Sequence, residues 1–185
     1  RFLLRTKFIR LMRDFLDNHG FLEVDTPVLQ NTASGATARP FITHHNALDM
    51  DVFLRIAPET YMKRAVIAGI NKVYEIGRCF RNEGIDTTHN PEFTTLEAYQ
   101  AFGDLSDMAK MTEDLFHYIA KEVIGKEQFH WLGYDIDVSK PFRHVTMTEA
   151  IKEKTGVDFY QIKTLEEAKE VAAKFDVEVE PHFLW

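Results

Sequence analysis

The chain has 185 residues, of which 45% are hydrophobic and 28% are charged, a composition typical of a folded globular protein rather than a disordered one. Its formal net charge of −7 argues against a general nucleic-acid coat and against a basic membrane-surface protein, although it allows a local basic groove. The single cysteine, Cys79, excludes an intramolecular disulfide and a cysteine-rich metal cluster.

The location and completeness of the chain can also be predicted. No apolar run approaches the about 18 residues that a membrane helix needs, and no signal peptide is visible, so we expect a cytoplasmic protein without a membrane segment. The chain begins at Arg1 within a helical pattern and ends on the apolar residues Phe183, Leu184 and Trp185. We therefore expect it to be a fragment of a longer protein.

The first third of the chain predicts a helix, an extended segment and a second helix. Apolar residues recur at helical spacing over residues 1–18, and Gly20 is free to take the left-handed conformation that ends a helix. The Thr26–Pro27 pair favours extended backbone, because the residue before proline avoids the helical region. Short strands and loops are expected to follow, then a strand at residues 51–57 and a helix from Pro58 to Gly69.

The middle of the chain predicts an antiparallel hairpin. Residues 72–81 and 92–102 alternate as strands, and a polar loop joins them. Beyond the hairpin, two short strands are expected over 128–145, and three helices should begin at residues with capping side chains. These N-caps are Asp104, Thr146 and Thr164. The helix opened by Thr164 is highly charged and is predicted to lie on the surface of a small subdomain.

The hairpin gathers residues that suit a charged ligand. In a strand, alternate residues share a face, so Phe93, Glu97 and Tyr99 lie together. A carboxylate in the middle of a strand is costly unless a cation pairs with it. An arginine and a histidine, Arg81 and His89, suit a polyphosphate, a flat aromatic ring suits a purine, and an unpaired carboxylate suits an ammonium group.

An alternative interpretation of the same hairpin needs no ligand. In it, Arg81 and Glu83 pair with their neighbours, Phe93 belongs to the core, and Glu97 faces solvent on an edge strand. Two other features also favour a structural role. His44 and His45 point to opposite faces of a strand and would chelate a metal poorly, and Cys79 is expected to be an inert packing residue.

The order of the motifs resembles the class II aminoacyl-tRNA synthetases. Gly20-Phe21-x-x-Val24-x-x-Pro27-Val28-Leu29 after a long helix is similar to their motif 1, and Phe80-Arg81-x-Glu83 followed by His89-x-x-x-Phe93-x-x-x-Glu97 is similar to motif 2. Finer blocks resemble the lysine-specific members of this family. They are Ala36-Thr37-Ala38-Arg39-Pro40-Phe41, Leu54-Arg55-Ile56-Ala57-Pro58-Glu59, Phe80-Arg81-Asn82-Glu83-Gly84-Ile85 and Thr88-His89-Asn90-Pro91-Glu92-Phe93-Thr94.

The resemblance implies a fold and a reaction. The fold is α+β, an antiparallel sheet flanked by helices, with motif 1 at a homodimer interface. The reaction is that of a ligase in protein biosynthesis, which joins lysine to the α-phosphate of ATP, releases pyrophosphate and passes the lysyl group to tRNA(Lys). The substrate carboxylate attacks, so the protein supplies positioning and charge stabilisation and no nucleophile of its own.

The resemblance also assigns roles to individual residues. Arg81 is the catalytic residue, bridging the lysine carboxylate and the α-phosphate. The implied ATP-binding residues are Arg81, Glu83, His89, Asn90 and Phe93. The implied lysine-binding residues are Gly35, Glu59, Glu97 and Tyr99. Two acids suit a substrate with two ammonium groups, because each charged hydrogen bond is worth about 1.5–3 kcal/mol.

Parts of the family pattern are missing from this sequence. Motif 3 and the acidic residues that hold Mg²⁺ are not found, so no metal ligand is predicted here. Residues 1–158 are predicted to be the first part of the catalytic domain and residues 159–185 the start of a helical insertion. We expect the isolated chain to be inactive. Two other functions stay open: a related enzyme that lysylates a protein, and a non-catalytic module that binds lysine or a nucleotide.

Overall fold

The computed structural model describes residues 1–179, and the apolar end at Phe183–Trp185 lies outside the described residues. The chain divides into two compact units, Arg1–Lys140 and Pro141–Trp185. The predicted domain boundary at residue 158 follows a family resemblance rather than compactness, and it stays a prediction. Within the described residues, no helix combines the length and apolarity that crossing a membrane requires.

Helices and short sheets make up the first unit, as the predicted α+β class requires. Its helices are α1 (Phe2–Asn18), α2 (Glu59–Ile67) and α3 (Leu105–Ile119), and a π-helical turn continues α3 over Ala120–Ile124. Its strands are β1 (Leu22–Glu23), β2 (Leu29–Gln30), β3 (Ile42–His45), β4 (Met50–Leu54), β5 (Lys72–Phe80), β6 (Glu92–Gln100), β7 (Gln128–Trp131) and β8 (Tyr134–Asp137).

The strands form three sheets rather than one antiparallel sheet. The orders are β1-β5-β6, β2-β4-β3 and β7-β8. All strand pairs are antiparallel except β1 and β5, which are parallel. The predicted antiparallel arrangement therefore holds for every strand pair of the described residues except this one. Parallel neighbours need a long crossover, and the segment between β1 and β5, which includes α2, supplies one.

One face of the β5–β6 hairpin is covered by helices. A buried cluster joins Phe15 and Leu16 of α1 to Phe21 and to Tyr74 of β5. Side chains of β6 and α3 pack against this cluster, including Leu96 of β6. Tyr74 and Leu96 occupy even positions, so the even face of the hairpin belongs to the core. The odd face, which carries Phe93 and Glu97, is therefore left for other contacts.

The predicted helix starts are confirmed by their hydrogen bonds. Asp104 and Asp107 form a capping box at α3, in which each side chain accepts from the other residue's backbone N–H. Thr146 forms a second box at the start of α4 (Met147–Thr155). Thr164 forms a third at the start of α5 (Leu165–Ala173). Each cap satisfies backbone donors that a helix start leaves unpaired.

The second unit packs α4, a 3₁₀ turn at Phe159–Gln161, and α5 around an apolar cavity of about 400 Å³. The cavity is lined by Leu165, Ala168, Val171 and Ala172 of α5, among others. The prediction that α5 lies on the surface of a small subdomain is confirmed, since none of its residues is fully buried. Its apolar face is turned inward, as in an ordinary amphipathic helix.

Candidate functional site

The odd face of the hairpin brings an arginine, an aromatic ring and a carboxylate into line. In the register of β5 and β6, Cys79 faces Phe93 and Glu75 faces Glu97. Beyond the end of β5, the backbone N–H of Arg81 donates to Pro91 O at 2.8 Å. The side chains on which the sequence prediction depends therefore share one side of the sheet.

A cavity of about 260 Å³ lies at the loop end of this face. Its lining contains every residue to which the family resemblance gives an ATP-binding role: Arg81, Glu83, His89, Asn90 and Phe93, together with Gly84, Thr88 and Pro91. The Arg81 guanidinium lies over the Phe93 ring, 5.0 Å from its centroid. This contact joins a cation to the flat aromatic surface that a purine would need.

The backbone around residue 39 anchors Glu83. The Arg39 N–H donates to Glu83 Oε1 at 3.3 Å. In the same segment, the Asn82 N–H donates to Arg39 O at 2.8 Å. These bonds hold the start of the hairpin loop against the segment that precedes β3. The exposed carboxylate of Glu83 thus has one backbone donor at the cavity wall.

His89 is positioned by Asp86, which the sequence prediction missed. The Asp86 carboxylate accepts from the backbone N–H groups of Thr88 and His89, each at 2.7 Å, and lies 2.7 Å from His89 Nδ1. These hydrogen bonds, with the Thr88 N–H first, hold the pKa of Asp86 well below its usual range. An aspartate three residues before a histidine in a polar loop is the signal that could have found it.

The acidic end of the face is built around Glu97. The Tyr99 hydroxyl donates to Glu97 Oε2 at 2.9 Å. Burial raises the pKa of Glu97, the bond from Tyr99 opposes that rise, and the charges of Glu59 and Glu75 add to it. Burial and the neighbouring Glu97 likewise raise the pKa of Tyr99. Tyr99 therefore stays a neutral hydrogen-bond donor to the carboxylate.

Gly35 lies against Glu59 at the start of α2. Its φ of +88° suits glycine, and a Cβ there would lie 2.9 Å from Glu59 Cβ and 3.1 Å from Ala57 Cβ. Glu59 forms an ion pair with Lys63 at 2.5 Å, four residues along the helix. The four residues predicted to bind lysine thus form two contacting pairs, Gly35 with Glu59 and Tyr99 with Glu97, and the charge of Glu59 reaches Glu97.

A buried ion pair beneath this end was not predicted. Arg55 Nη1 lies 2.5 Å from Glu75 Oε1, and both side chains are at most 3% exposed. Thr26 Oγ1 donates to Glu75 Oε2 at 2.6 Å, and Arg55 Nε donates to Arg78 O at 2.7 Å. Lone charges within the apolar runs around residues 55 and 75 were the available signal, because buried charges need partners.

Gly77 provides the space for this ion pair, and a substitution tests it. A Cβ at Gly77 would lie 2.2 Å from Arg55 Nη2 and 2.7 Å from Glu75 Oε1. We expect Gly77→Ala to lower the free energy of unfolding by about 1–3 kcal/mol, the usual cost of overpacking. Gly84→Ala is the matched control, since a Cβ there meets nothing within 4 Å. Equal denaturation midpoints for the two variants would contradict the prediction.

The other polar clusters have structural partners. His44 lies 3.3 Å from Asp51 and 3.4 Å from Asp49, as the hydrogen-bonding interpretation expects. Cys79 is buried, and burial raises the pKa of its thiol. Across residues 1–179, no three His, Cys, Asp or Glu side chains are grouped so that they could hold a metal ion.

Comparisons with known proteins agree with this geometry. A family model described as tRNA synthetases class II (D, K and N) matches residues 1–181. A lysine–tRNA ligase of Thermoanaerobacter pseudethanolicus is 55% identical over 96% of the chain and 36% of its own length. Lysine–tRNA ligases of Streptococcus pneumoniae and Streptococcus agalactiae are 55% and 52% identical over 99% of the chain and 37% of their own lengths.

The chain thus spans little more than a third of the length of these curated relatives. The matched range nevertheless includes both sequence motifs and all the candidate site residues. The chain belongs to the class II tRNA synthetases of the D, K and N group.

Proposed function

We propose that this chain is part of a lysine–tRNA ligase and carries the surface on which lysine and ATP meet. The observation that supports the proposal is a single sheet face, with Arg81 and Phe93 at one end and Glu97 and Tyr99 at the other. A polyphosphate with a purine suits the first end, and an ammonium group suits the second.

In the proposed reaction, a lysine carboxylate oxygen attacks the α-phosphorus of ATP. A new oxygen–phosphorus bond forms, the bond from the α-phosphorus to the β-phosphate oxygen breaks, and pyrophosphate leaves with that electron pair. Arg81 would touch both the carboxylate and the α-phosphate and would balance the charge that develops between them. Phe93 would stack on adenine, with Glu83 and Asn90 holding the adenosine and His89 touching the outer phosphates.

Glu59 and Glu97 would bind the two ammonium groups of lysine. Both ammonium groups lose hydrating water on entering the pocket, and a charged hydrogen bond to a carboxylate compensates each for that loss. Tyr99 would complete one side of this pocket and the Gly35 backbone the other. The same acids would repel the side chains of aspartate and disfavour asparagine, which are the other two amino acids of the family's description.

Further features of the intact enzyme belong to the same proposal. The lysyl group would pass from the adenylate to tRNA(Lys), and two copies would associate through the region of α1 and the segment after it. The reaction would take place in the cytoplasm. The catalytic core would be completed by residues beyond this chain, which is consistent with the 36–37% of each relative's length that the chain covers.

Magnesium is the usual companion of ATP, but the described residues do not form a site for it. Glu83 is the one carboxylate among the described residues that line the nucleotide cavity, and it already accepts from the Arg39 N–H. Magnesium favours octahedral oxygen ligands that include one or two carboxylates together with the phosphates. We therefore assign no step of the reaction to a metal held by these residues.

Lysine-dependent exchange of pyrophosphate into ATP tests the proposal. We expect the protein expressed from the complete reading frame to catalyse this exchange with lysine and not with aspartate or asparagine. We expect the isolated 185-residue chain to show none, although calorimetric titration can detect residual binding of lysine or ATP to it. Exchange driven by a different amino acid would refute the proposed substrate, and turnover by the isolated chain would refute the proposed incompleteness.

A further inference from the structure

The acidic end of the face holds more carboxylates than lysine has ammonium groups. Glu75 lies directly opposite Glu97 in the hairpin register, and Glu59 adds a third charge from α2. Opposed residues on one face of an antiparallel pair have Cβ atoms about 4.5–5.5 Å apart. Like charges at that spacing repel, so the charge of Glu75 would destabilise the ionised form of Glu97 unless a cation neutralised Glu75.

Arg55 is placed to provide that balance. Its guanidinium is 2% exposed, contacts Glu75 and passes over the position where Gly77 lacks a side chain. Lys63 is a different kind of partner, because its side chain is 59% exposed and its bond to Glu59 is a helical surface pair. Such pairs contribute little in water, so an ammonium group of the substrate can displace Lys63 but cannot displace Arg55.

Stability alone does not account for this buried pair. Replacing a buried ion pair by well-packed apolar residues is often neutral or stabilising, since both charges lose their hydration in the interior. The chain nevertheless keeps Arg55 and Glu75 buried beside two acids that lack a buried cation of their own. This arrangement is explained if the pair sets the charge of the neighbouring pocket.

We propose that Arg55 is a charge-balancing positioning residue of the lysine pocket: by neutralising Glu75 it leaves two carboxylates, Glu59 and Glu97, for the two ammonium groups of the substrate. The inference rests on the proposed function. Without Arg55 the three acids would carry one charge too many, and Glu97 would take up a proton more readily. Without Glu75 the unpaired guanidinium would repel the incoming ammonium groups.

A double-mutant cycle in the protein expressed from the complete reading frame tests this role. Glu75→Gln keeps the volume of the side chain and an oxygen for the Thr26 hydroxyl, but it removes one negative charge. We expect it to raise the KM for lysine about tenfold, equivalent to about 1.4 kcal/mol, and to leave the KM for ATP within about twofold. Arg55→Met should also raise the KM for lysine, with the largest effect at low pH, where Glu97 is most easily protonated.

The double variant Arg55→Met/Glu75→Gln restores the original charge of the pocket. We expect its KM for lysine to lie closer to that of the parent protein than either single variant does. Melting curves identify the variants that fold. If Arg55→Met does not fold, the comparison of Glu75→Gln with the double variant tests the inference. Glu92→Gln is the matched control: it removes an equally negative side chain from β6, at an even position where Glu92 pairs with the exposed Arg78.

The outcomes separate this inference from the function on which it rests. If the parent protein shows no lysine-dependent exchange, the proposed function fails and the inference fails with it. If the parent is active but Glu75→Gln changes the KM values for lysine and ATP in parallel, Arg55 and Glu75 are merely structural. A double variant that binds lysine more weakly than both single variants would overturn the inference in the same way.

Discussion

Replacing Arg81 by alanine should lower the rate of lysine-dependent pyrophosphate exchange about 10³-fold, the size of effect seen when a positioned cation or donor is removed from a developing charge. Arg81 lines the cavity proposed to hold the nucleotide and contacts Phe93. Its guanidinium would touch both reacting groups, so its loss should reduce kcat more than it raises either KM. The measurement is steady-state exchange by the protein expressed from the complete reading frame.

Two further variants make this prediction specific. Arg81→Lys keeps the charge but loses the planar fork of donors, so we expect it to recover part of the lost activity and not all of it. Arg78→Lys is the matched control for the lysine substitution. Arg78 lies in β5, three residues before Arg81, and pairs with the exposed Glu92. An Arg81→Ala variant whose kcat matches that of Arg78→Lys would remove Arg81 from the chemistry.

Much of this site follows from strand periodicity. Residues 93, 97 and 99 have the same parity, so any β-strand across them places their side chains on one face. Arg81 follows β5 directly and has the same parity as Cys79, which faces Phe93, so the pairing of β5 with β6 places Arg81 at the end of that face. The ligand-free interpretation is correct in part, since β6 is the edge strand of its sheet. It does not hold for Phe93, which lines a cavity with Arg81.

Asp86 apart, whose partners lie two and three residues along the loop, the features that escaped prediction depend on contacts between distant segments. The ion pair of Arg55 with Glu75 joins residues 20 positions apart, and Thr26, which binds Glu75, lies 49 positions from it. The periodicity of apolar residues describes one helix or strand at a time and carries no information on tertiary contacts between distant residues. The parallel pairing of β1 with β5 was missed for the same reason, because its register depends on how the long crossover packs.

The proposed role of Glu97 in binding lysine leads to the second large predicted effect, a rise in the KM for lysine. Glu97→Gln should raise the KM for lysine about 10²-fold or more and leave the KM for ATP nearly unchanged. A charged hydrogen bond contributes about 1.5–3 kcal/mol, and a pocket built around such a bond discriminates strongly once it is lost. Tyr99 can still donate to the amide oxygen of the new side chain, so the local structure should survive.

The pH dependence gives this prediction an independent check. In the proposed pocket Glu97 would bind an ammonium group only when it is ionised, and burial raises its pKa above the ordinary value. The affinity for lysine should therefore be complete above this raised pKa and fall as the pH falls through it, whereas an unperturbed carboxylate would keep its affinity to lower pH. The Glu97→Gln side chain has no proton to gain, so the weak lysine affinity of this variant should not fall further at acid pH. The Glu92→Gln control should keep the acid limb, which is the fall in lysine affinity at low pH. If Glu97→Gln shifts the KM values for lysine and ATP equally, or if the acid limb persists in this variant, Glu97 does not bind the lysine ammonium group.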